Sequence, residues 1–205
     1  MSSYPLAKNG VFRTIQGEGA LLGVPMVFVR LGGCSIGCQQ CDTDYRVHER
    51  LTAEEIVERV LPLIGDGDVT WVWVTGGEPA DHPLTDLLWS FQHRYCKTAL
   101  ATSGSKDLRG ADKWLDFLSV SPHGKPGDLS VLPGSVHRYV ETQINLVPGL
   151  NGLQLSDWVL SGLSDWKHRW VTPMDSAHVP ECMAFVQENP GWRLGIQAHK
   201  TWGVA

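Results

Sequence analysis

The sequence predicts an α/β protein with the architecture of an open, incomplete β/α barrel. Strand-like runs alternate with helix-like runs along the chain, and this alternation is typical of a parallel sheet. The helix-like runs are too few to follow every strand, because residues 121–136 and 147–164 are rich in loop-forming residues. The chain has 205 residues, whereas a complete eight-stranded barrel typically needs about 250. We therefore expect a trimmed barrel that forms one domain over residues 1–205.

The first elements follow from an apolar run and a helix-start signal. The run Val27–Leu31 is largely apolar and contains two valines, which predicts a buried strand. Thr52 is followed three residues later by Glu55, and this capping-box pattern predicts a helix that continues to Leu61.

The remaining elements follow from strand-like composition and from proline positions. The run Thr70–Val74 is rich in β-branched and aromatic residues, as strands are. Pro83 begins a second helix, whose apolar residues lie on one stripe. A third helix is predicted over 176–188 with Pro180 in its first turn, where no amide hydrogen is needed. Further strands are predicted at 98–101, 117–120, 138–142, 169–171 and 194–196.

Composition excludes several classes of protein. The net charge of −5 and the isoelectric point near 5.9 argue against a nucleic-acid partner. No apolar run is long enough to span a membrane, and the first ten residues lack a signal-peptide pattern. The five cysteines are an odd number, which does not suit a secreted disulfide framework. We expect a cytoplasmic protein, with Cys96 and Cys182 as structural thiols.

Three cysteines provide the strongest functional signal. Cys34, Cys38 and Cys41 have the spacing Cys-x3-Cys-x2-Cys in a loop directly after the first predicted strand. A structural zinc site uses four protein ligands, whereas three thiolates around a four-iron cluster leave one iron open. S-adenosylmethionine chelates such an iron, and its reductive cleavage starts radical chemistry. The spacing resembles that of the radical S-adenosylmethionine superfamily, which implies a 4Fe-4S cluster and S-adenosyl-L-methionine as cofactors.

A second motif, Gly76-Gly77-Glu78-Pro79, follows the strand that ends near Val74. Two glycines at a strand end allow the backbone to approach a ligand closely, and the glutamate supplies an acceptor for a cationic group. By itself this motif is more typical of an ordinary strand-to-helix turn, and the neighbouring cysteine triplet reverses that preference. In the radical superfamily the same motif binds the α-amino group of S-adenosylmethionine.

Longer motifs resemble one family within that superfamily. The run Phe12–Gly19, with its Gln-Gly-Glu-Gly, and the run Val29–Cys34 resemble the 7-carboxy-7-deazaguanine synthase family. The resemblance extends to residues 41–45, to Pro173–Asp175 and to Gln197–Lys200. It implies a β6/α3-like barrel and a homodimer.

The same resemblance implies a reaction and its partners. The reaction is the ring contraction of 6-carboxy-5,6,7,8-tetrahydropterin to 7-carboxy-7-deazaguanine, with loss of ammonia. A 5′-deoxyadenosyl radical initiates it, and magnesium (Mg2+) is required. An electron donor such as flavodoxin is a further implied partner.

The resemblance also assigns site residues, and Arg30 suits its role on chemical grounds because a guanidinium fork pairs well with a substrate carboxylate. Substrate binding is assigned to Ile15, Gln16, Gly17, Glu18, Arg30, Thr75 and the terminal carboxylate of Ala205. Cofactor binding is assigned to Gln40, Cys41, Asp42, Gly76, Gly77, Glu78, Ser103, Ser121, Pro122, His123, Thr172, Pro173, Met174 and Asp175. Metal binding is assigned to Cys34, Cys38 and Cys41 for the cluster and to Thr43 for magnesium.

The chain departs from the usual pattern of that family at several positions. Gln40 stands where an aromatic residue is usual, and Thr172 where a glutamine is usual. Ala101 replaces a glutamate that would bind the pterin, and Gln143 replaces a lysine. Either another acid replaces the missing carboxylate, with Glu141 as the candidate and the terminal carboxylate of Ala205 as a second one, or the substrate contact is rearranged.

Two other functions fit parts of the sequence. A glycyl-radical activating enzyme has the same cysteine triplet but acts on a partner protein, and the Gln-Gly-Glu-Gly motif argues against it. A non-catalytic metal-binding module is the second alternative, with His48 joining the three cysteines around zinc. Outside that alternative, His48 shares no pattern with His93, His137 and His168, and these four are interpreted as ordinary surface or core residues.

Overall fold

A computed structural model describes residues 3–41, 43–64, 70–123, 125–158 and 163–203. Nine strands in these residues form one sheet. They are β1 (Ser3–Ile15), β2 (Pro25–Leu31), β3 (Glu49–Thr52), β4 (Trp71–Gly76), β5 (Lys97–Thr102), β6 (Phe117–Val120), β7 (Glu141–Leu146), β8 (His168–Val171) and β9 (Arg193–Leu194).

The sheet forms an open barrel in which most neighbouring strands are parallel. Its strand order is β3-β1-β2-β4-β5-β6-β7-β8-β9, and every pair from β2 to β9 is parallel. β1 is antiparallel to both β2 and β3. Within the described residues β3 and β9 form opposite edges of the sheet, so the barrel does not close. The predicted incomplete α/β barrel is therefore confirmed.

Four α-helices lie in the described residues: α1 (Ala53–Val60), α2 (Thr85–Gln92), α3 (Val179–Glu188) and α4 (Ala198–Trp202). The capping box at α1 is confirmed, since the Thr52 hydroxyl accepts from the Glu55 amide and a Glu55 carboxylate oxygen accepts from the Thr52 amide at 2.7 Å. Pro180 lies in the first turn of α3, as its missing amide hydrogen predicts. None of the described helices has the length and apolar character needed to span a membrane.

The structure corrects several of the sequence-based elements. β3 was not predicted, and α2 and α3 begin at Thr85 and Val179 rather than at Pro83 and residue 176. β1 was not predicted, because Pro5 and Asn9 interrupt its strand pattern; pairing on both sides holds it, with an irregular register between Leu6 and Val11. The predicted strand 138–142 was wrong in position, since residues 138–140 form a turn and β7 begins at Glu141. β9 ends at Leu194 rather than at residue 196, and α4 was not predicted.

Alternation along the strands divides the sheet into two faces. Val27, Val72, Leu100 and Leu118 belong to the main apolar core, which also contains the buried residues of the helices. The other face carries a small aromatic cluster near the strand starts and polar residues near the strand ends. Lateral pairing places Arg30 beside Thr75, Ala101 beside Ser119, and Ser119 beside Gln143.

The segment between β1 and β2 crosses to the far strands of the sheet. The Ala20 amide donates to the Gln143 side-chain oxygen at 2.7 Å, and the Ala198 amide donates to the Gly17 carbonyl at 2.9 Å. Gly19 has a φ of +68°, and a Cβ on it would collide with the Gln143 side-chain amide. Only glycine therefore fits at that point of the crossing.

Candidate active site

A cavity of about 610 Å³ opens on the polar face of the sheet, at the carboxyl ends of its strands. All the described residues assigned to substrate binding line it: Ile15, Gln16, Gly17, Glu18, Arg30 and Thr75. The parallel strands explain this convergence, because their carboxyl ends meet at one edge. Ala205, also assigned to the substrate, lies outside the described residues.

Glu18 is the only acidic side chain among the described residues that line this larger cavity. One of its carboxylate oxygens accepts from Gln197 at 3.1 Å, and His199 Nδ1 lies 3.7 Å from the same oxygen. The other oxygen accepts from Asn145 at 3.3 Å. Groups from β7 and from the segment around α4 therefore fix a negative charge at the cavity wall.

Arg30 supplies a cationic group to the same cavity. It lies near the end of β2, and its guanidinium carbon is 4.8 Å from the centre of the Phe12 ring. A guanidinium over an aromatic face is attracted by the ring electrons and held in orientation. The larger cavity thus presents a cation from β2 and an anion from the segment between β1 and β2, and Lys200 adds a second cationic group.

The structure adds lining residues that the sequence analysis missed. Phe28 and Trp73 form a flat wall, with ring centres 6.2 Å apart and planes 23° apart. Gln143 is almost completely buried and donates to the Ser119 hydroxyl at 3.0 Å. Strand alternation was the available signal for Phe28 and Trp73, because they stand two residues before the lining residues Arg30 and Thr75. The others are Gln197, His199, Lys200 and Gly203.

A second cavity of about 280 Å³, here called the cysteine cavity, adjoins the first. Cys34, Cys38 and Cys41 all line it. The two cavities share seven described lining residues, namely Glu18, Thr43, Thr75, Ala101, Ser121, Gln197 and Lys200. A group bound in one cavity is therefore adjacent to a group bound in the other.

Cys38 is the buried member of the cysteine triplet. Its sulfur lies 2.7 Å from His123 Nδ1 and accepts from the Asn151 side-chain amide at 3.2 Å. Burial raises the pKa of the Cys38 thiol, and the hydrogen bond from Asn151 opposes that rise. Burial also lowers the pKa of His123, against an opposing effect of the Glu78 carboxylate.

The Gly-Gly-Glu-Pro motif connects the cysteine loop to the sheet. A Cβ on Gly77 would overlap the carbonyl of Gly33, so the second glycine is required by the close approach of the loop that carries Cys34. Glu78 is 1% exposed, and its carboxylate accepts from the amides of Ala80 and Ser103 and from the hydroxyls of Thr102 and Ser103. The Glu78 side chain therefore joins the end of β4 to the end of β5.

The other residues assigned to the cofactor divide into two groups. Gln40, Gly76, Gly77, Glu78, Ser103, Ser121, His123 and Met174 line the cysteine cavity, as does the magnesium candidate Thr43. Pro122, Thr172, Pro173 and Asp175 do not line it. The Thr172 hydroxyl instead donates to Asn145 at 2.7 Å, and the Asp175 carboxylate caps the turn that precedes α3. Asp42 lies outside the described residues.

The structure excludes Glu141 as the acid that replaces the carboxylate missing at Ala101. Glu141 is the first residue of β7, and it pairs laterally with Phe117 at the start of β6. It therefore lies at the amino edge of the sheet, away from both cavities. Its carboxylate binds Lys167 at 2.7 Å and lies 3.4 Å from His168.

The donor set of the cysteine cavity suits an iron–sulfur cluster. Three thiols from one loop line one cavity, which matches a four-iron cluster with three protein ligands. His48, the fourth ligand of the zinc alternative, does not line the cysteine cavity.

Comparison with known proteins assigns the chain to a family. It is 30% identical over 230 residues to the 7-carboxy-7-deazaguanine synthase of Escherichia coli K12, covering 98% of this chain and 99% of that protein. It is 34% identical to the synthase of Haemophilus influenzae, covering 95% and 92% of the two chains, and 27% identical to that of a Synechocystis strain, covering 98% and 94%.

The fold agrees with the sequence comparison. The crystal structure of QueE from Escherichia coli superposes with a TM-score of 0.73 at 25% identity, over 96% of this chain and 95% of that one. No protein-family model matches the chain. Identity of 30% or more over almost the full length of enzymes with one name shows that the chain belongs to the 7-carboxy-7-deazaguanine synthase family.

Proposed function

We propose that the chain converts 6-carboxy-5,6,7,8-tetrahydropterin to 7-carboxy-7-deazaguanine, with loss of ammonia, as a radical S-adenosylmethionine enzyme. The observation that carries the proposal is the continuity of two cavities, one lined by three cysteines and one by a cation, an anion and an aromatic wall. About 610 Å³ is within the range of small-molecule sites, roughly 300–1,000 Å³. A cavity of this volume favours a small substrate over the partner protein that a glycyl-radical activating enzyme needs.

Cys34, Cys38 and Cys41 are proposed to hold a 4Fe-4S cluster, and S-adenosylmethionine is proposed to occupy the rest of the cysteine cavity. Bound together, these cofactors supply the carbon-centred radical that begins the ring contraction. The protein's own contribution is to orient the reactants and to exclude water.

The Gly76–Glu78 stretch is proposed to bind the α-amino group of S-adenosylmethionine mainly through its backbone. The Glu78 carboxylate already accepts four hydrogen bonds from protein groups, so its charge supports an ammonium group without a free oxygen being needed. The proposed contacts around the rest of the molecule come from the other lining residues assigned to the cofactor, namely Gln40, Ser103, Ser121, His123 and Met174.

Substrate orientation is proposed to rest on Arg30 and Glu18, two oppositely charged residues of the larger cavity, which Lys200 also lines. Arg30 pairs with the substrate carboxylate, and Glu18 accepts from the donor groups of the aminopyrimidine edge. The flat wall formed by Phe28 and Trp73 suits a planar ring system. Glu18 then supplies the acid that is missing at Ala101, since Glu141 lies at the other edge of the sheet.

Several further features belong to the same proposal. Thr43 lines both cavities, so a magnesium ion bound by its hydroxyl would lie between cofactor and substrate. The proposal also includes a one-electron donor such as flavodoxin, a homodimeric assembly and a cytoplasmic location.

The direct test is anaerobic turnover. The reconstituted protein is incubated with the carboxy-tetrahydropterin, S-adenosylmethionine, magnesium and a reductant, and products are identified by mass spectrometry. The proposal requires 7-carboxy-7-deazaguanine, with 5′-deoxyadenosine and methionine. Cofactor cleavage without any change in the pterin would reject this substrate.

Glu18→Gln is expected to raise the dissociation constant of the pterin about tenfold, because a hydrogen bond to a charged group is lost. Iron content and binding of S-adenosylmethionine are expected to stay at wild-type levels. Isothermal titration calorimetry measures the pterin constant, and Glu58→Gln on the exposed face of α1 is the matched control. Equal pterin affinity in the two variants would remove Glu18 from substrate binding.

Thr43→Ala is expected to raise the magnesium concentration that gives half-maximal activity by at least about tenfold, since a lost contact of this kind typically weakens metal binding by that factor. Thr43→Ser keeps the hydroxyl and is expected to behave like the wild type. Initial rates over a magnesium series measure the effect. An alanine variant with the wild-type magnesium curve would contradict the assignment.

A further inference from the structure

Three loops meet at the carboxylate of Asp81, outside both cavities. Ser35 comes from the loop after β2, Asp81 from the turn after β4, and Lys106 from the loop after β5. One Asp81 oxygen accepts from the Ser35 amide at 2.9 Å, and the other accepts from the Ser35 hydroxyl at 2.8 Å. The Lys106 ammonium group forms an ion pair with the same carboxylate.

The Asp81 carboxylate is largely buried, although it lies near the surface. The Asp81 side chain is only 16% exposed. Burial by itself raises the pKa of Asp81, but the hydrogen bonds from Lys106 and Ser35 outweigh it and lower the pKa overall. The carboxylate is therefore ionised, and both of its oxygens accept hydrogen bonds, although Ser35, Asp81 and Lys106 line neither of the two cavities described above.

The position of Ser35 gives the arrangement a function. Ser35 follows Cys34 directly, and its amide and hydroxyl together fix the backbone at the start of the cysteine loop. Gly33, on the other side of Cys34, accepts from the Glu78 amide at 3.1 Å. Cys34 is thus held on both sides by the segment that follows β4.

We propose that Asp81 and Lys106 are positioning residues that hold the cysteine loop ready for its cluster and balance the charge beside it. The inference rests on the proposed cluster and extends it to residues outside the cavity. Asp81 acts through Ser35 on Cys34, and Lys106 neutralises the Asp81 carboxylate.

The two parts of the inference predict different effects. Asp81→Asn keeps the shape of the side chain but loses the charge and one strong acceptor, so the loop loosens and the cluster becomes easier to reduce. Lys106→Met leaves the bonds to Ser35 in place but exposes the cluster to an unbalanced negative charge, so the cluster becomes harder to reduce. A purely structural role would not shift the reduction potential in opposite directions.

The experiment uses the full chain after anaerobic reconstitution. It measures the iron content, the rate of iron loss to a chelator, and the reduction potential of the cluster by EPR-monitored titration. Asp81→Asn is expected to lose iron about tenfold faster than the wild type, with a higher potential. Lys106→Met is expected to have a lower potential and near-normal iron loss, and Ser35→Ala a smaller increase in iron loss. Asp157→Asn and Lys8→Met, both at exposed positions, are the controls.

The outcomes separate this inference from the proposed function. Wild-type rates of iron loss and unchanged potentials in Asp81→Asn and Lys106→Met would overturn the inference while the cluster itself stands. A wild-type protein that takes up no iron would overturn the proposed function and this inference together. If Asp81→Asn failed to fold by circular dichroism, Ser35→Ala and Lys106→Met would still decide, and unchanged values in both would overturn the inference.

Discussion

Replacing Cys34, Cys38 or Cys41 with alanine is expected to abolish cluster binding and the cleavage of S-adenosylmethionine. The three thiols are the ligands that the proposed cluster has from the protein, and they line one cavity. Loss of one leaves a second iron without a protein ligand, and the cluster is then no longer held. Iron and sulfide analysis, with the yield of 5′-deoxyadenosine, measures the effect.

Cys96→Ala and Cys182→Ala are the matched controls. Both thiols are buried in the main core and line neither cavity. Burial raises the pKa of Cys182 to about 11, so it is a protonated thiol and a poor metal ligand. Both variants are expected to keep full iron content and cofactor cleavage. A Cys34→Ala protein with wild-type iron and 5′-deoxyadenosine would disprove the cluster assignment.

Arg30→Ala is expected to have the second largest effect, a strong loss of pterin affinity. Removing a charge-assisted bond to a carboxylate costs about 1.5–3 kcal/mol, which raises the dissociation constant about 10- to 150-fold. Binding of S-adenosylmethionine and iron content are expected to be unchanged, because Arg30 lines only the larger cavity. Calorimetric titration of the pterin measures the effect.

Two further variants make this test specific. Arg30→Lys keeps the charge but loses the fork, so an intermediate affinity is expected. Arg50→Ala removes an exposed arginine on the edge strand β3 and is expected to bind like the wild type. If Arg30→Ala bound the pterin as well as Arg50→Ala does, the substrate carboxylate would have to be recognised elsewhere.

Local patterns determined much of the fold and the centre of the site. The apolar run at Val27–Leu31, the capping box at Thr52 and the first-turn Pro180 each act within a few residues, so they could be read without knowledge of the rest. The cysteine triplet is equally local, because one loop carries all three thiols. These features predicted a cluster-binding loop on a trimmed α/β barrel, and the structure confirms the open barrel.

Strand positions with weaker patterns were decided by pairing. β1 contains residues that disfavour strands, and it forms because β2 and β3 flank it on both sides. The shift of β7 to Glu141–Leu146 has the same origin, since β6 and β8 set its register. Strand pairing joins residues that are far apart in the chain, so a local sequence pattern cannot predict it.

The arrangement of charges in the site was decided by the tertiary structure alone. The sequence offered Glu141 as the acid that replaces the carboxylate missing at Ala101, but the register of β7 places Glu141 at the amino edge of the sheet. Glu18, which the resemblance assigned to substrate binding, is held at the cavity wall by Asn145, Gln197 and His199. The sequence by itself determined which chemical groups are present. The tertiary structure decided which of these groups lie close together, because the parallel strands bring carboxyl ends that are distant in sequence to one edge of the sheet. Electrostatic interaction depends on distances of a few ångströms, so the sequence alone could not show which charges interact.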